Sequence, residues 1–387
     1  MDYESTLKPS PYYNETHHEW RRQLRRFVQQ EIEPNVNAWD REDEYIPREL
    51  FRKAGELGIY RIGFPEEYGG YGDEMDIFHD LLSVEEFHRP GSGAMLTTLF
   101  VPIGGLPPIN ALGSDELKRK VLPEVLSGRE QISVAITEPG AGSDIGNLQS
   151  RARREGDDWV ISGSKIYITG GMTSRWITVV ARTGEGKQGL SIFLVEADSR
   201  GLEKTVMKKM GMWASDTAML FFDDVRVPGT HLIGKEGDGF RGMLVNLNGE
   251  RLRAAVVANT LARVALVDAV NYAQERQTFG QALARHQVIR HKFAEMARHI
   301  HSTQAYIEQT AWRVQNGEQA AADTALCKLQ ATQTLELCAR EAAQVLGGAA
   351  VIRGNKIERI YREARILSIA GGSEEILRDL AVRQMGI

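Results

Sequence analysis

The chain is poor in cysteine, with only Cys327 and Cys338 in 387 residues. Both lie in a stretch with helical periodicity, and eleven residues along a helix is about three turns, or roughly 16 Å. That distance is too great for a disulfide between them. We therefore expect no disulfide framework, with both thiols in the core and a reducing compartment, the cytoplasm, as the location.

Other absences exclude further classes. The formal net charge is −5 with no long basic block, so composition gives no reason to expect nucleic-acid binding. No apolar run approaches the ~20 residues of a membrane span, and none is expected. The first four residues lack the basic and apolar regions of a secretory signal. We see neither low-complexity tracts nor internal repeats.

What is present divides into three zones, and the length favours two or three domains. Residues 1–129 show helical periodicity, residues 130–236 read as short β-strands between turns, and residues 237–387 read as long helices. This order predicts an α+β multidomain fold. It has an N-terminal α-helical domain, a central β-barrel or β-sandwich and a C-terminal antiparallel helical bundle. A site between domains is the natural expectation.

The densest motif is the run from Thr137 to Asp144, Thr-Glu-Pro-Gly-Ala-Gly-Ser-Asp, just after the apolar run 132–136. Its glycines would let backbone N–H groups converge on an anion. It is not a dinucleotide fingerprint, because glycines at 140, 142 and 146 miss G-x-G-x-x-G by one residue. Taken alone, a plain turn remains the simpler interpretation.

A second motif runs from Gly163 to Gly171 and carries Tyr167 and Thr169, two residues apart on a predicted strand. Alternation along a strand would place both on one side, where a ring and a hydroxyl could meet a flat cofactor. A half-buried strand without a ligand is the alternative.

The helical third zone holds several weaker signals. Glu250-Arg251-Leu252 is predicted at the start of a helix, where a Glu ordinarily offsets the helix dipole. Arg276-Gln-Thr-Phe-Gly follows a helix end, and Gly371-Gly372 precedes a new helix, a candidate anion site. His291, Glu295 and His299 share a helix stripe that we interpret as a solvated face, so no metal site is expected.

Together, the order and spacing of these motifs resemble the acyl-CoA dehydrogenase family over nearly the whole chain. The resemblance implies FAD as cofactor, a four-helix C-terminal domain, a homotetramer, an acyl-CoA substrate and an electron-transfer flavoprotein as electron acceptor. The positions implied to bind FAD are Ile136, Thr137, Ser143, Tyr167, Thr169, Arg276, Thr278, Phe279, Gln344, Gly347, Gly348 and Ser373. Of these, Arg276, Thr278 and Phe279 should meet the FAD of a neighbouring subunit. Tyr167 stands where the family often has Trp.

The catalytic base departs from the commonest family pattern. Many members carry it in an Ile-Tyr-Glu-Gly-Thr segment, which here reads Ile369-Ala-Gly-Gly-Ser, so Gly371 takes the Glu position. A subset similar to the isovaleryl and long-chain enzymes places the Glu in Glu-Arg-Leu. We therefore predict Glu250 as the base, with the backbone N–H near Gly371 stabilising the enolate oxygen.

Substrate contacts are predicted at Ser143, Arg251 and Ala370. The small Ala370-Gly371 pair suggests a widened cavity and a branched or bulky acyl group, carried on CoA or on a carrier protein. Two alternatives stay open: a monooxygenase or desulfinase with the same fold, and a non-catalytic assembly or binding role.

Overall fold

A computed structural model describes residues 1–41, 45–318 and 320–387. Helices come first, then a sheet, then longer helices, as the zones predicted. The N-terminal helices are α1 Glu15–Phe27, α2 Val36–Trp39, α3 Arg48–Leu57, α4 Ile77–His88, α5 Val101–Gly105, α6 Pro107–Leu112 and α7 Asp115–Leu126. The strands of the sheet are β1 Ile132–Ala135, β2 Arg151–Glu155, β3 Asp158–Thr169, β4 Trp176–Arg182, β5 Leu190–Glu196, β6 Leu202–Val206, β7 Thr217–Val227 and β8 Leu232–Ile233.

The C-terminal helices are α8 Gly239–Glu275, α9 Gln287–Gln315, α10 Ala321–Leu346, α11 Lys356–Ile369 and α12 Glu374–Gln384. Between α8 and α9 lies a small hairpin of β9 Gln277–Thr278 and β10 Gln281–Ala282. The predicted domain boundaries, after residues 129 and 236, fall between elements: α7 ends at Leu126 and β1 begins at Ile132, and β8 ends at Ile233 before α8 begins.

The N-terminal helices start at side-chain caps. Asn14 caps α1 and Asp76 caps α4, each accepting the N–H three residues on. His17 of α1 reaches across to Asp76 at 2.9 Å, and His79 lies 2.8 Å from the same carboxylate oxygen. This His–Asp–His group is accounted for by capping, because the shared Asp76 oxygen already accepts two backbone N–H groups.

The sheet runs in the order β6-β7-β3-β2-β4-β5-β8, and β1 pairs parallel to β4. The β-branched and aromatic runs predicted as strands are β3, β4, β5 and β7. The strands that pattern reading missed include β2, whose five residues Arg-Ala-Arg-Arg-Glu are charged except for one buried alanine. A separate apolar core lies within this domain, while a larger second core is shared by the two helical zones and by β-zone residues such as Trp176 and Ile192.

Helix α8 corrects one expectation. Glu250 does not lie at a helix start, since α8 begins eleven residues earlier at Gly239 and runs 37 residues, so the dipole-offsetting interpretation fails. By length and composition α8 is also apolar enough to cross a membrane, although the sequence showed no uninterrupted run. Its most apolar window is 83% buried inside the fold, as expected for the central helix of a bundle.

One buried carboxylate links the three zones. Glu363 of α11 accepts the N–H of Gly93, in the first zone, at 2.6 Å. It also accepts the N–H of Met212, in the second, at 3.1 Å. Burial raises the pKa of Glu363 to about 7. Because α11 leads directly into residues 370–372, this link fixes where that segment emerges.

Candidate active site

The end of strand β1 and the middle of strand β3 bring two predicted motifs side by side. Ile166 donates its N–H to the carbonyl of Thr137 at 2.9 Å. The ammonium of Lys165 donates to the carbonyl of Ile136, also at 2.9 Å. The structure thus places Ile136 and Thr137 next to the residues that flank Tyr167. We call this region the β wall of the site, residues 136–143 and 165–169.

A buried ion pair holds the β wall. Lys165 is fully buried, and its Nζ lies 2.7 Å from Glu138 Oε1. The Glu138 carboxylate also accepts the N–H groups of Gln149 and Ser150. Burial lowers the pKa of Lys165 to about 8. Burial also disfavours the charged form of Glu138, but Lys165 and the two N–H donors hold the pKa of that carboxyl below its usual value.

Tyr167 is a strained and exposed residue on this wall. Its φ is +61°, which only a few non-glycine residues adopt. The prediction that Tyr167 and Thr169 share a face assumed an unbroken pleat, yet the pairing of β3 with β7 is irregular between Lys165 and Ile168. Exposure still alternates: the side chain of Ile168 is buried, whereas Tyr167 is 64% exposed and Thr169 is half-buried.

The loop after Thr137 offers unused donors. Glu138 and Ala141 close it with two mutual backbone hydrogen bonds. Within the described residues, the N–H groups of Gly142 and Ser143 donate to no protein acceptor, and both residues are exposed. This arrangement matches the anion-binding interpretation of the loop better than a self-contained turn.

The second half of the site is the segment Ala370–Gly372 between α11 and α12, which we call the glycine joint. Gly371 and Gly372 have φ values of +70° and +107°, in the region that favours glycine. Lys328, fully buried on α10, donates to the carbonyl of Gly372 at 2.7 Å and also to that of Ala370. In the part of the chain that the structure describes, the Gly371 N–H has no protein acceptor.

Arg251, the residue after Glu250 on α8, approaches the glycine joint. Arg251 Nη2 lies 4.0 Å from the position that a Cβ would take at Gly372. The Arg251 guanidinium is buried, and its Nε has no hydrogen-bond acceptor among the described residues. Burial lowers its pKa, against the opposing charge of Glu250. Glu250 itself is half-buried and directly precedes Arg251 on α8.

The other predicted FAD positions lie apart from these two halves. Arg276 is exposed, and Phe279 is 98% exposed with a φ of +49°. Gln344, Gly347 and Gly348 are exposed around the end of α10, about 24 Å along the helix axis from Lys328. Among the described residues, no hydrogen bond joins this group to the β wall. Ser373 is the N-cap residue of α12, directly after the glycine joint.

Sequence reasoning missed three residues that build the site: Glu138, Lys165 and Lys328. Glu138 and Lys165 stood inside the quoted motifs without a role, although their charges in otherwise apolar or glycine-rich segments were a usable signal. Lys328 gave no signal, because a lysine in a helix is normally exposed. By contrast, the predicted solvated stripe on α9 is confirmed at Glu295, which is exposed and pairs with Arg298.

Comparison with known proteins covers the whole architecture. Residues 14–129, 133–225 and 237–386 match the models for the N-terminal, middle and C-terminal domains of acyl-CoA dehydrogenase. The chain is 35% identical over 369 residues to the probable acyl-CoA dehydrogenase YngJ of Bacillus subtilis, covering 94% of this chain and 96% of that protein. It is 33% identical over 381 residues to the mitochondrial long-chain specific acyl-CoA dehydrogenase of Mus musculus, covering 96% of this chain and 87% of that protein.

Among solved structures, a probable acyl-CoA dehydrogenase from Mycobacterium abscessus superposes with a TM-score of 0.93. The two chains are 38% identical, and the match covers 97% of this chain and 100% of the other. The predicted fold class is confirmed by this likeness and by the three domain models.

Proposed function

This chain belongs to the acyl-CoA dehydrogenase family, and from that premise we propose that Glu250 removes the α-proton of a branched or bulky acyl-CoA. The protein is an FAD-dependent oxidoreductase that dehydrogenates acyl-CoA thioesters. The acyl group, the role of Glu250 and the electron acceptor, an electron-transfer flavoprotein, are parts of the proposal. So are the assembly as a homotetramer and the cytoplasmic location.

The β wall fits a bound flavin. The exposed Tyr167 ring offers an aromatic surface that no protein group covers fully, and the free N–H groups of Gly142 and Ser143 suit a pyrophosphate. Ile136 and Thr137 accept hydrogen bonds from Lys165 and Ile166, just before Tyr167, and Thr169 is half-buried two residues after it, so we propose that these residues also line the flavin. A flavin held by these residues would supply the acceptor for the hydride that leaves the substrate's Cβ.

The base assignment is carried by one observation: the glycine joint has no carboxylate, while Glu250 sits on the turn of α8 whose next residue reaches that joint. A thioester α-proton is weakly acidic, so its removal needs a positioned base and a donor for the developing enolate oxygen. Glu250 supplies the base, and the free Gly371 N–H supplies the donor.

The preference for a bulky acyl group is supported by the open space at the joint. Ala370 and Gly371 are exposed. A Cβ placed on Gly371 would meet only Lys328 Nζ, at 4.0 Å. Residues 370 and 371 themselves therefore contribute nothing larger than a methyl group to the cavity, which leaves room for branching of the acyl group.

The test is an anaerobic titration of the FAD-loaded protein with a panel of acyl-CoAs, following loss of the oxidised flavin absorbance. We expect bleaching, strongest with branched chains. A clear preference for short straight chains over 3-methyl-branched ones would contradict the substrate proposal. Absence of bleaching with every acyl-CoA would contradict dehydrogenation itself and favour other flavin chemistry.

Glu250→Gln should retain FAD but reduce the flavin at a rate lower by about 10²-fold or more, because the base is removed and the shape is kept. Glu308→Gln is the matched control, since Glu308 is also a half-buried glutamate on a C-terminal helix but lies outside the site. Turnover of the Glu250 variant equal to that of the control would remove Glu250 from the role of base.

A further inference from the structure

Lys328 is a buried cation next to the glycine joint, and the ion pairs among the described residues include none that uses it. Among the described residues, its Nζ donates hydrogen bonds to two backbone carbonyls, those of Ala370 and Gly372. Burial, reinforced by the nearby charge of Arg251, lowers its pKa to about 8 against the opposite influence of Glu374. A buried ammonium is costly, and capping a helix end needs no charge, so its presence here calls for a further role.

The two carbonyls that Lys328 holds lie on either side of Gly371 along the chain: that of Ala370 belongs to the peptide between residues 370 and 371, and that of Gly372 to the peptide between residues 372 and 373. The carbonyl of Ala370 and the N–H of Gly371 are parts of one planar trans peptide and point in opposite directions. Drawing that oxygen inward to Lys328 therefore turns the Gly371 N–H outward. Gly371 is exposed, and its N–H has no acceptor within the described residues.

Without such a hold the joint would be loose, because two successive glycines give the backbone more freedom than any other pair. A hydrogen bond to an ammonium is also stronger than one between neutral groups. It polarises the amide, so that the N–H on its other side becomes a better donor. The hydrogen bond from Lys328 to the Ala370 carbonyl thus sets both the position of the Gly371 N–H and its strength as a donor.

We propose that Lys328 is a positioning residue of the reaction: its ammonium fixes the Ala370–Gly371 peptide so that the Gly371 N–H meets the thioester oxygen of the substrate. This inference rests on the proposed function, in which that N–H stabilises the enolate oxygen. Lys328 touches neither substrate nor cofactor in it and acts through the backbone. The positive charge, uncompensated by a contacting carboxylate, further favours negative charge on that oxygen.

The test measures acidity of a bound ligand as well as rate. A 3-thia-acyl-CoA has an acidic α-proton, and its enolate gives a long-wavelength charge-transfer absorption beside oxidised flavin, so a pH titration of the holoenzyme reports the ligand's pKa on the protein. In Lys328→Met we expect that ligand pKa to rise by about one to two units. Flavin reduction by acyl-CoA should slow by about 10- to 100-fold.

An affinity measurement and a control variant separate a positioning role of Lys328 from an effect on folding stability. Affinity for a saturated acyl-CoA should change less than about threefold, because the donor matters most once negative charge develops. Thr324→Val is the matched control, since it removes a buried polar group one turn earlier on the same helix. It should keep the wild-type ligand pKa.

Lys328→Gln provides a second variant. Its side chain is one bond shorter, so it cannot hold both carbonyls, and we expect values between wild type and Lys328→Met; it decides the question if the Met variant fails to fold or bind FAD. A wild-type ligand pKa and rate in the variant that folds would overturn the inference. If wild type itself neither ionises the ligand nor is bleached by any acyl-CoA, the proposed function has failed instead.

Discussion

Two fully buried lysines hold the two halves of the site, and they do so differently. Lys165 in the β wall contacts one carbonyl and the carboxylate of Glu138. Lys328 under the glycine joint contacts two carbonyls and, among the described residues, ion-pairs with no carboxylate. Burial lowers the pKa of both to about 8.

The difference separates two uses of a buried charge. The charge of Lys165 is neutralised by Glu138, whose carboxylate in turn accepts hydrogen bonds from the N–H groups of Gln149 and Ser150. This pair organises the backbone and leaves little net field. The charge of Lys328 is met by two carbonyl dipoles and by the more distant Glu374, with no contacting carboxylate among the described residues, so much of it remains available to whatever binds at the joint.

We expect the largest effect on folding stability from replacing Lys165. Lys165→Met leaves Glu138 buried without its cation, which costs about 3–5 kcal/mol of folding stability. We expect a large drop in the thermal unfolding midpoint and loss of bound FAD. Lys328→Met leaves only carbonyls unsatisfied, so its cost should be about 1–3 kcal/mol.

Adding Glu138→Gln to Lys165→Met should recover part of the loss, because no unpaired charge then remains. Lys204→Met, on strand β6 of the same sheet and only half-buried, controls for removing a positive charge. Equal destabilisation by Lys165→Met and Lys328→Met would end the distinction between the two lysines.

Replacing one glycine in each half of the site tests the difference between the β wall and the glycine joint, with a smaller expected effect on stability. A Cβ at Gly163, in β3, would lie 2.5 Å from Ser150 Oγ and 2.7 Å from Ser150 Cα, so Gly163→Ala must displace backbone. We expect it to cost about 1–3 kcal/mol in overpacking alone and to weaken FAD binding. At Gly371 the nearest atom is 4.0 Å away, so Gly371→Ala should cost only the left-handed backbone, about 1 kcal/mol. Thermal unfolding and flavin retention measure both, and the reverse ranking would show that the joint is the tighter half.

The smallest expected effect is in pH dependence. A lysine in the unfolded chain titrates near pH 10.4, whereas folded Lys328 titrates near pH 8. Between these values the unfolded state holds the proton that the folded state has released, so stability from this group rises with pH. From about pH 7.5 to about pH 9.5, wild type should gain about 1–2 kcal/mol relative to Lys328→Met. Denaturation curves at both pH values test this, and parallel changes in the two proteins would contradict the lowered pKa.

Much of the fold could be predicted because the hydrophobic periodicity that marks helices and strands can be recognised within short stretches of the sequence. The runs that became β3, β4, β5 and β7 are rich in β-branched and aromatic residues. Strand β2 could not be predicted this way, because its side chains are almost all charged and its place in the sheet comes from pairing with β3. The position of Glu250 inside α8 was also missed. Nothing in the sequence near it marks a helix already eleven residues long.

For the site, motif order predicted the two segments that pair: Ile136 and Thr137 are hydrogen-bonded to Lys165 and Ile166, the residues just before Tyr167. What the pattern could not give were contacts across long sequence distances. Lys328 and Gly372 are 44 residues apart, and a lysine on a helix carries no mark of burial. The strain at Tyr167 likewise arises from an irregular pairing with β7, which depends on both strands.

Phe279 presents its ring almost wholly to water on a backbone that few side chains adopt. A solitary protomer gains nothing from this arrangement, since an aromatic surface in water is unfavourable. If the ring is covered only by another copy, each copy completes its neighbour. Specific activity would then depend on enzyme concentration, so assays on highly dilute samples would give too low a specific activity. Activity would return with a lag when the enzyme is concentrated again.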